Sequence, residues 1–214
     1  FFQQFSSRFG DTVKIKSLDF SNLMTWRQSL DAVEKYAELI DFMLIESFAL
    51  ENDFDGMAEF RRRVNCPVSE HVYHIHHAWQ FIHYGCVDIL NISPYVVGGI
   101  RAALRIFALA EASHTSALIG TTQELNLGTA AVAHLGAVAR VLDYPSDNTG
   151  PELYTADVVK EPLRYENGFL LVPDGIGLGV EVDENLLHER AVPLTNTFGT
   201  DLVGLLDRTT DHKT

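Results

Sequence analysis

The sequence predicts an α/β fold, a partial TIM-like (β/α) barrel of about six βα units, and three observations carry that expectation. From residue 11, apolar runs of four to seven residues alternate with longer amphipathic segments, the rhythm of strand and crossover helix that builds a parallel sheet. Each run ends on or near an acidic or polar residue: Asp19 closes TVKIKSLD, Glu46 closes DFMLIE, Glu70 closes CPVSE, Ser93 closes VDILNIS, and Glu124 follows SALIGT. In a parallel barrel the strand ends on one face converge on a single mouth, where active sites are assembled from several strands. A closed barrel needs eight strands and roughly 250 residues. Six visible strands therefore imply a barrel without its first two strands, or an open sheet.

The opening FFQQFSSRFG has scattered apolar residues and no leading basic segment, so it lacks the form of a signal peptide and reads as the tail of a helix. A piece of a longer chain is expected. Strands are placed at 12–19, 42–46, 67–70, 87–93, 116–120 and 140–144. Between them Trp26, Leu30, Val33 and Ala37 recur at helical spacing, as do Ile100, Leu104, Phe107 and Ala110, and these faces should pack outside the sheet. After Tyr144 the composition turns to proline and glycine, predicting irregular structure with a hairpin at Asn167-Gly168. Residues 1–190 are read as the barrel domain, incomplete at its N-terminus, and 191–214 as a C-terminal segment ending in a polar tail.

Charge excludes some partners. Sixteen Lys and Arg against 29 Asp and Glu give a net charge of -13, which argues against attraction to nucleic acid or to an anionic membrane. The densest basic run, Arg61 to Arg63, is flanked by Glu59 and reads as a solvated helix face. Charges interrupt every apolar run before it reaches the roughly 18 residues of a membrane span. The two cysteines, Cys66 and Cys86, lack CxxC spacing and read as core thiols of a reducing compartment, so a cytoplasmic protein is expected.

Taken singly, a carboxylate at a strand end is often a helix cap. Asp19, Glu46 and Glu70, however, are separated by 27 and 24 residues, one βα unit each. Three carboxylates in one mouth repel unless a cation lies between them, and all-oxygen donors suit Mg²⁺ better than zinc. Other matches are weaker. His71, His74, His76 and His77 cannot all face one point from a helix. Gly175 to Gly179 lacks the strand-turn-helix context of a dinucleotide loop. Asn91-Ile92-Ser93 fits the glycosylation pattern but falls on a strand expected to be buried.

The stretches D19FSNLMTW, L44IES, C66PVSEH, V87DILNISPYVVGGI, I119GTTQELNLGTAAVAHL and E161PLRYENGFLLVPDGIGLGVEVDE together resemble the C-terminal barrel domain of the enolase superfamily, in its mandelate racemase and muconate lactonizing branch. The resemblance implies a two-domain enzyme, a capping domain followed by a barrel that holds Mg²⁺ on three acidic residues. Carried over, these are Asp19, Glu46 and Glu70, and the capping domain and first two barrel strands lie outside this sequence. The chain departs from the pattern in several places. Asn22 is three residues after Asp19, not two, and Trp26 follows later, which calls for a bulge. Phe48 replaces the usual proline after the second ligand. Ser93 stands where relatives place a Lys or Asp, and Asn91, on the same side of its strand, is equally non-basic. Glu124 matches a glutamate of the muconate lactonizing group, and His71 after Glu70 resembles some sugar-acid dehydratases. The family's Lys-x-Lys falls upstream, leaving Lys14 and Lys16 on the outer face or lower rim.

The chemistry so implied is removal of a proton α to a carboxylate, giving an enediolate whose charge Mg²⁺ stabilises. With Ser93 in place of a base, one-base dehydration of a hydroxy acid or sugar acid is expected. A racemase, epimerase or cycloisomerase is the alternative, and a degenerate barrel acting as a binding module is the non-enzymatic one. Ser93, Asn91 and Glu124 are the catalytic or substrate-contacting candidates, and the partner is a small-molecule carboxylate. The full-length form is expected to be a homo-oligomer, and this piece alone to be inactive.

Overall fold

The computed structural model describes residues 2–10, 12–36 and 42–191. The alternation read from sequence becomes a five-stranded parallel sheet of β1 (Ile15–Asp19), β2 (Phe42–Glu46), β3 (Val68–His71), β4 (Ile89–Asn91) and β5 (Ser116–Leu118), in chain order. Helices α1 (Phe2–Phe9), α2 (Trp26–Tyr36), α3 (Phe54–Arg63), α4 (Ile75–Tyr84), α5 (Pro94–Val97), α6 (Ile100–Ser113), α7 (Asn126–Val138) and α8 (Glu184–Arg190) complete the named elements of regular length. The predicted sixth strand shrinks to one parallel bridge, Ala117 to Leu142, with Ala117 N–H donating to the Val141 carbonyl at 3.1 Å. β4 is shorter than predicted because Ser93 already caps α5, and Pro94 has no N–H to extend the ladder.

Local chemistry fixes the helix ends. Asp53 accepts from Gly56 N at the start of α3, His74 Nδ1 accepts from His77 N at the start of α4, and Asp183 accepts from Asn185 N and Leu186 N at α8. Between α5 and α6 the chain turns through Gly98 and Gly99, with φ of 97° and 102°. No neighbour would crowd a side chain at either site, so the backbone conformation alone calls for glycine there. Asn167 and Gly168, also at positive φ, close the predicted hairpin between β6 (Tyr165–Glu166) and β7 (Phe169–Leu170).

The sheet buries both faces. On the convex face Ile45, Val68, Leu90 and Ala117 pack against Leu30, Met57, Phe60, Phe81, Ile106 and Leu135 of the helices. On the concave face Leu44, Ile89 and Leu118 pack together, with Tyr144 against them. Leu30 is buried and Trp26 and Val33 pack on the core as predicted, while Ala37 lies outside the described residues. In α6 the buried stripe is Ala103, Ile106, Phe107 and Ala110, and Leu104 is exposed, one position off the predicted face. Arg62 and Arg63 pair with Glu59 in solvent, but Arg61 is structural. Its Nε donates to Asp88 at 2.8 Å and its Nη1 to the Gly85 carbonyl at 3.2 Å, tying α3 to the approach to β4. The predicted segment 191–214 lies, from residue 192 on, outside the described residues.

Candidate functional site

Which side chains enter the mouth follows from the pleat, since alternate residues of a strand face opposite sides and paired residues of parallel strands share a side. Leu44 and Ile89 are concave, which puts Glu46 and Asn91, two residues further on, in the mouth. Asp19 pairs with Glu46, and Glu46 pairs with Ser69. Ser69 pairs in turn with concave Ile89, and His71 pairs with Asn91. The concave rim is therefore Asp19, Glu46, Ser69, His71 and Asn91. Glu70 has the other parity: its partner is Leu90, a member of the convex core, and Val68 and Val72 on either side of it are convex too.

Glu46, His71 and Asn91 form one hydrogen-bonded cluster. Glu46 Oε1 accepts from Asn91 Nδ2 at 2.7 Å and faces His71 Nε2 at 2.9 Å. Burial pushes the Glu46 carboxyl up, yet the His71 hydrogen bond and charge, the Lys16 charge and the Asn91 amide outweigh it and leave the group below its ordinary value. Burial likewise pulls His71 down, and the carboxylates of Glu46, Glu70 and Asp19 reverse this, so the imidazole holds its proton above its ordinary value. Asn91 is fully buried and lies against Gly120, where an added Cβ would come within 1.9 Å of Asn91 Oδ1. The glycine makes room for the amide.

Glu70 is engaged elsewhere. Its Oε2 accepts from Asn22 Nδ2 at 3.0 Å and its Oε1 from His71 N at 3.0 Å, and it lines a cavity of about 220 Å³ with Met57, Tyr73, His77 and Phe81. Burial is the main reason its carboxyl is pushed up to about 7, against the hydrogen bonds from Asn22 and His71. Asp19 is exposed and its carboxylate folds back onto Ser21 N at 2.7 Å. The extra residue before Asn22 is absorbed by left-handed backbone at Ser21 and Asn22, with φ of 53° and 54°. Asn22 thus reaches Glu70 despite its shifted spacing.

Of the three predicted ligands, Asp19 and Glu46 share the concave rim and Glu70 does not, so the three do not form one donor set. Among the described residues no three His, Cys, Asp or Glu side chains are placed to hold a metal ion. The donors that face inward, two carboxylates, a serine hydroxyl and an imidazole already bonded to Glu46, do not fit a three-carboxylate Mg²⁺ site.

Ser93 is buried, and its hydroxyl has no hydrogen-bond partner. Glu124 follows β5, but its carboxylate turns into its own loop, accepting from Thr122 N at 2.7 Å and from the hydroxyls of Thr121 and Thr122. As placed, its carboxylate caps that loop, with its hydrogen bonds going to Thr121 and Thr122. Lys16 is not idle on the outer rim: it reaches Asp147 at 2.5 Å, joining β1 to the chain beyond the sixth-strand bridge. His71 and Ser69 were not among the site residues expected from sequence. The period-two pairing of Val68 with Val72 around Glu70 is the signal that would have found them.

His74, His76, His77 and His83 belong to α4 or its cap: His77 stacks on Tyr73, His76 and His83 stack on Trp79, His83 meets Tyr84 edge-on, and His74 lies against His76 and His77. Asn91, Ile92 and Ser93 are all buried, which disposes of the glycosylation match. Cys66 Sγ donates to the Phe42 carbonyl and Cys86 Sγ to the Phe54 carbonyl. Among the described residues no helix is long and apolar enough to cross a membrane.

Residues 3–186 match the family described as enolase C-terminal domain-like. The sequence is 32% identical over 186 residues to an N-succinylamino acid racemase of an Amycolatopsis species, covering 85% of this chain and 49% of that protein. It is 30% identical over 142 residues to muconate cycloisomerase 1 of Rhodococcus opacus, covering 65% and 38%. The solved muconate lactonizing enzyme of Pseudomonas putida superimposes with a TM-score of 0.82 at 27% identity, over 88% of this chain and 53% of that one. The chain spans about half the length, or less, of the curated relatives it matches.

Proposed function

We propose, given that the chain belongs to the enolase C-terminal domain-like family, that its protein is an isomerase acting at the carbon next to a substrate carboxylate, of the cycloisomerase, racemase or epimerase kind. The curated relatives described above carry isomerase names, which favours this reading over dehydration. The observation that carries it is the hydrogen-bonded Glu46, His71 and Asn91 cluster at the convergent strand ends. Glu46, buried and ionised, orients the His71 ring and keeps a proton at Nε2. Asn91, seated on Gly120, holds the Glu46 carboxylate in place. His71 remains about a third exposed and is the group in the mouth able to meet a substrate carboxylate or exchange a proton with the adjacent carbon. Ser93, two residues beyond Asn91, keeps its hydroxyl buried and unpaired, so as placed it does not reach substrate.

A second reading, a binding module that has lost turnover, is favoured by the non-basic pair Asn91 and Ser93. Proton NMR in D₂O separates the two, using the intact protein with N-acyl amino acids, dipeptides, muconate and sugar acids, with and without Mg²⁺. Deuterium entering at the α carbon with the carbon skeleton retained or cyclised supports the isomerase. Loss of water to a keto acid assigns a dehydratase. Saturable binding without exchange in any condition assigns the binding module.

A further inference from the structure

We infer that the divalent-cation site expected at three successive strand ends is short of one carboxylate in this protein, because the third place in its row is Ser69. Two independent features of the sheet agree. Asp19, Glu46 and Ser69 are consecutive register partners across β1, β2 and β3, so they share the concave side and one level of the rim. Glu70 is one residue further, pairs with convex Leu90, and spends both carboxylate oxygens on Asn22 and its own neighbour's N–H. A one-residue step along a strand reverses the face, so no change of rotamer returns Glu70 to that level.

The place left to Ser69 is small, buried and polar. Its hydroxyl is fully buried without a hydrogen-bond partner, as expected of a short side chain standing where a longer oxygen donor would extend into the mouth. His71, the next concave residue of β3, occupies Glu46 Oε1. A hard dication would meet two carboxylates and compete with an imidazole for one of them. Three carboxylates neutralise such an ion better than two, so its affinity here is low.

The test is cation binding by the intact protein, followed by Mn²⁺ paramagnetic resonance with Mg²⁺ competition, a readout that needs no turnover and stands apart from the isomerase proposal. Ser69→Asp completes the row. It is expected to tighten Mn²⁺ by at least about 10-fold and to make the melting temperature rise with cation concentration, as binding to the folded state alone requires. Glu70→Gln is expected to change Mn²⁺ affinity by less than about 2-fold. A folded Ser69→Asp that binds no tighter than wild type overturns the inference, and so does a Glu70→Gln that binds about 10-fold more weakly. Should the buried aspartate prevent folding, the Glu70→Gln comparison decides alone.

Discussion

Gly120→Ala tests whether the mouth is held together as described, because the substitution acts on Glu46 only through Asn91. The new Cβ would stand 1.9 Å from Asn91 Oδ1 and 2.9 Å from its Cγ, where ordinary contact begins near 3.4 Å. Asn91 is enclosed and cannot swing into solvent, so either the strands part or the amide leaves Glu46 Oε1. Overpacking of a filled site costs about 1–3 kcal/mol. Losing a hydrogen bond to a charged acceptor costs about 1.5–3 kcal/mol. The expected total of about 2.5–6 kcal/mol corresponds, at roughly 2–4 °C per kcal/mol for a chain of this size, to a melting temperature lower by about 5–24 °C. Urea and thermal unfolding of the wild type, Gly120→Ala, Asn91→Ala and the double variant measure it. Because Asn91→Ala removes the atoms that clash, the double variant should be nearly as stable as Asn91→Ala alone, a coupling of at least about 1 kcal/mol. Gly120→Ala within about 0.5 kcal/mol of wild type, or additive costs in the double variant, would refute the cluster.

Glu124→Gln should cost about 1 kcal/mol at neutral pH, a figure already reduced for solvent screening. Burial raises the Glu124 carboxyl, but Thr121 and Thr122 hold it below its ordinary 4.5, so its contribution is present above that value and lost as pH falls through the lower folded one. The gap between the two proteins should therefore close in acid, as unfolding curves across that range would reveal. Cys86, whose thiol is pushed up to about 12 mainly by burial and then by the Asp55 charge, should resist iodoacetamide at mildly alkaline pH in the native protein and react after unfolding. Peptide mass spectrometry reports this directly, and native alkylation as fast as in denaturant would contradict the buried placement. Arg61→Lys should lose about 1 kcal/mol, since an ammonium cannot reproduce the forked contact to Asp88 and Gly85, and chemical denaturation would show no loss if charge alone sufficed.

The sequence by itself determined the βα rhythm, the chain order of the parallel strands, the hairpin at Asn167-Gly168 and the position of Asp19, Glu46 and Asn91 at strand ends. These follow from local periodicity and turn chemistry, which a linear reading can count. The closing strand near Leu142 was legible only as an apolar run, because pairing depends on how far β5 extends beside it. Tertiary structure decided which side of the sheet each rim residue faces. Counting one βα unit from Glu46 reaches the end of β3, but the pleat reverses with every residue, and only the register of Glu46 with Ser69 reveals that Glu70 faces the helices. The partners of each charge were equally out of reach: His71 is 25 residues from Glu46 and Asp147 is 131 from Lys16. Those contacts exist because a curved sheet brings separate strand ends within hydrogen-bonding distance, and the curvature is a property of the packed sheet as a whole.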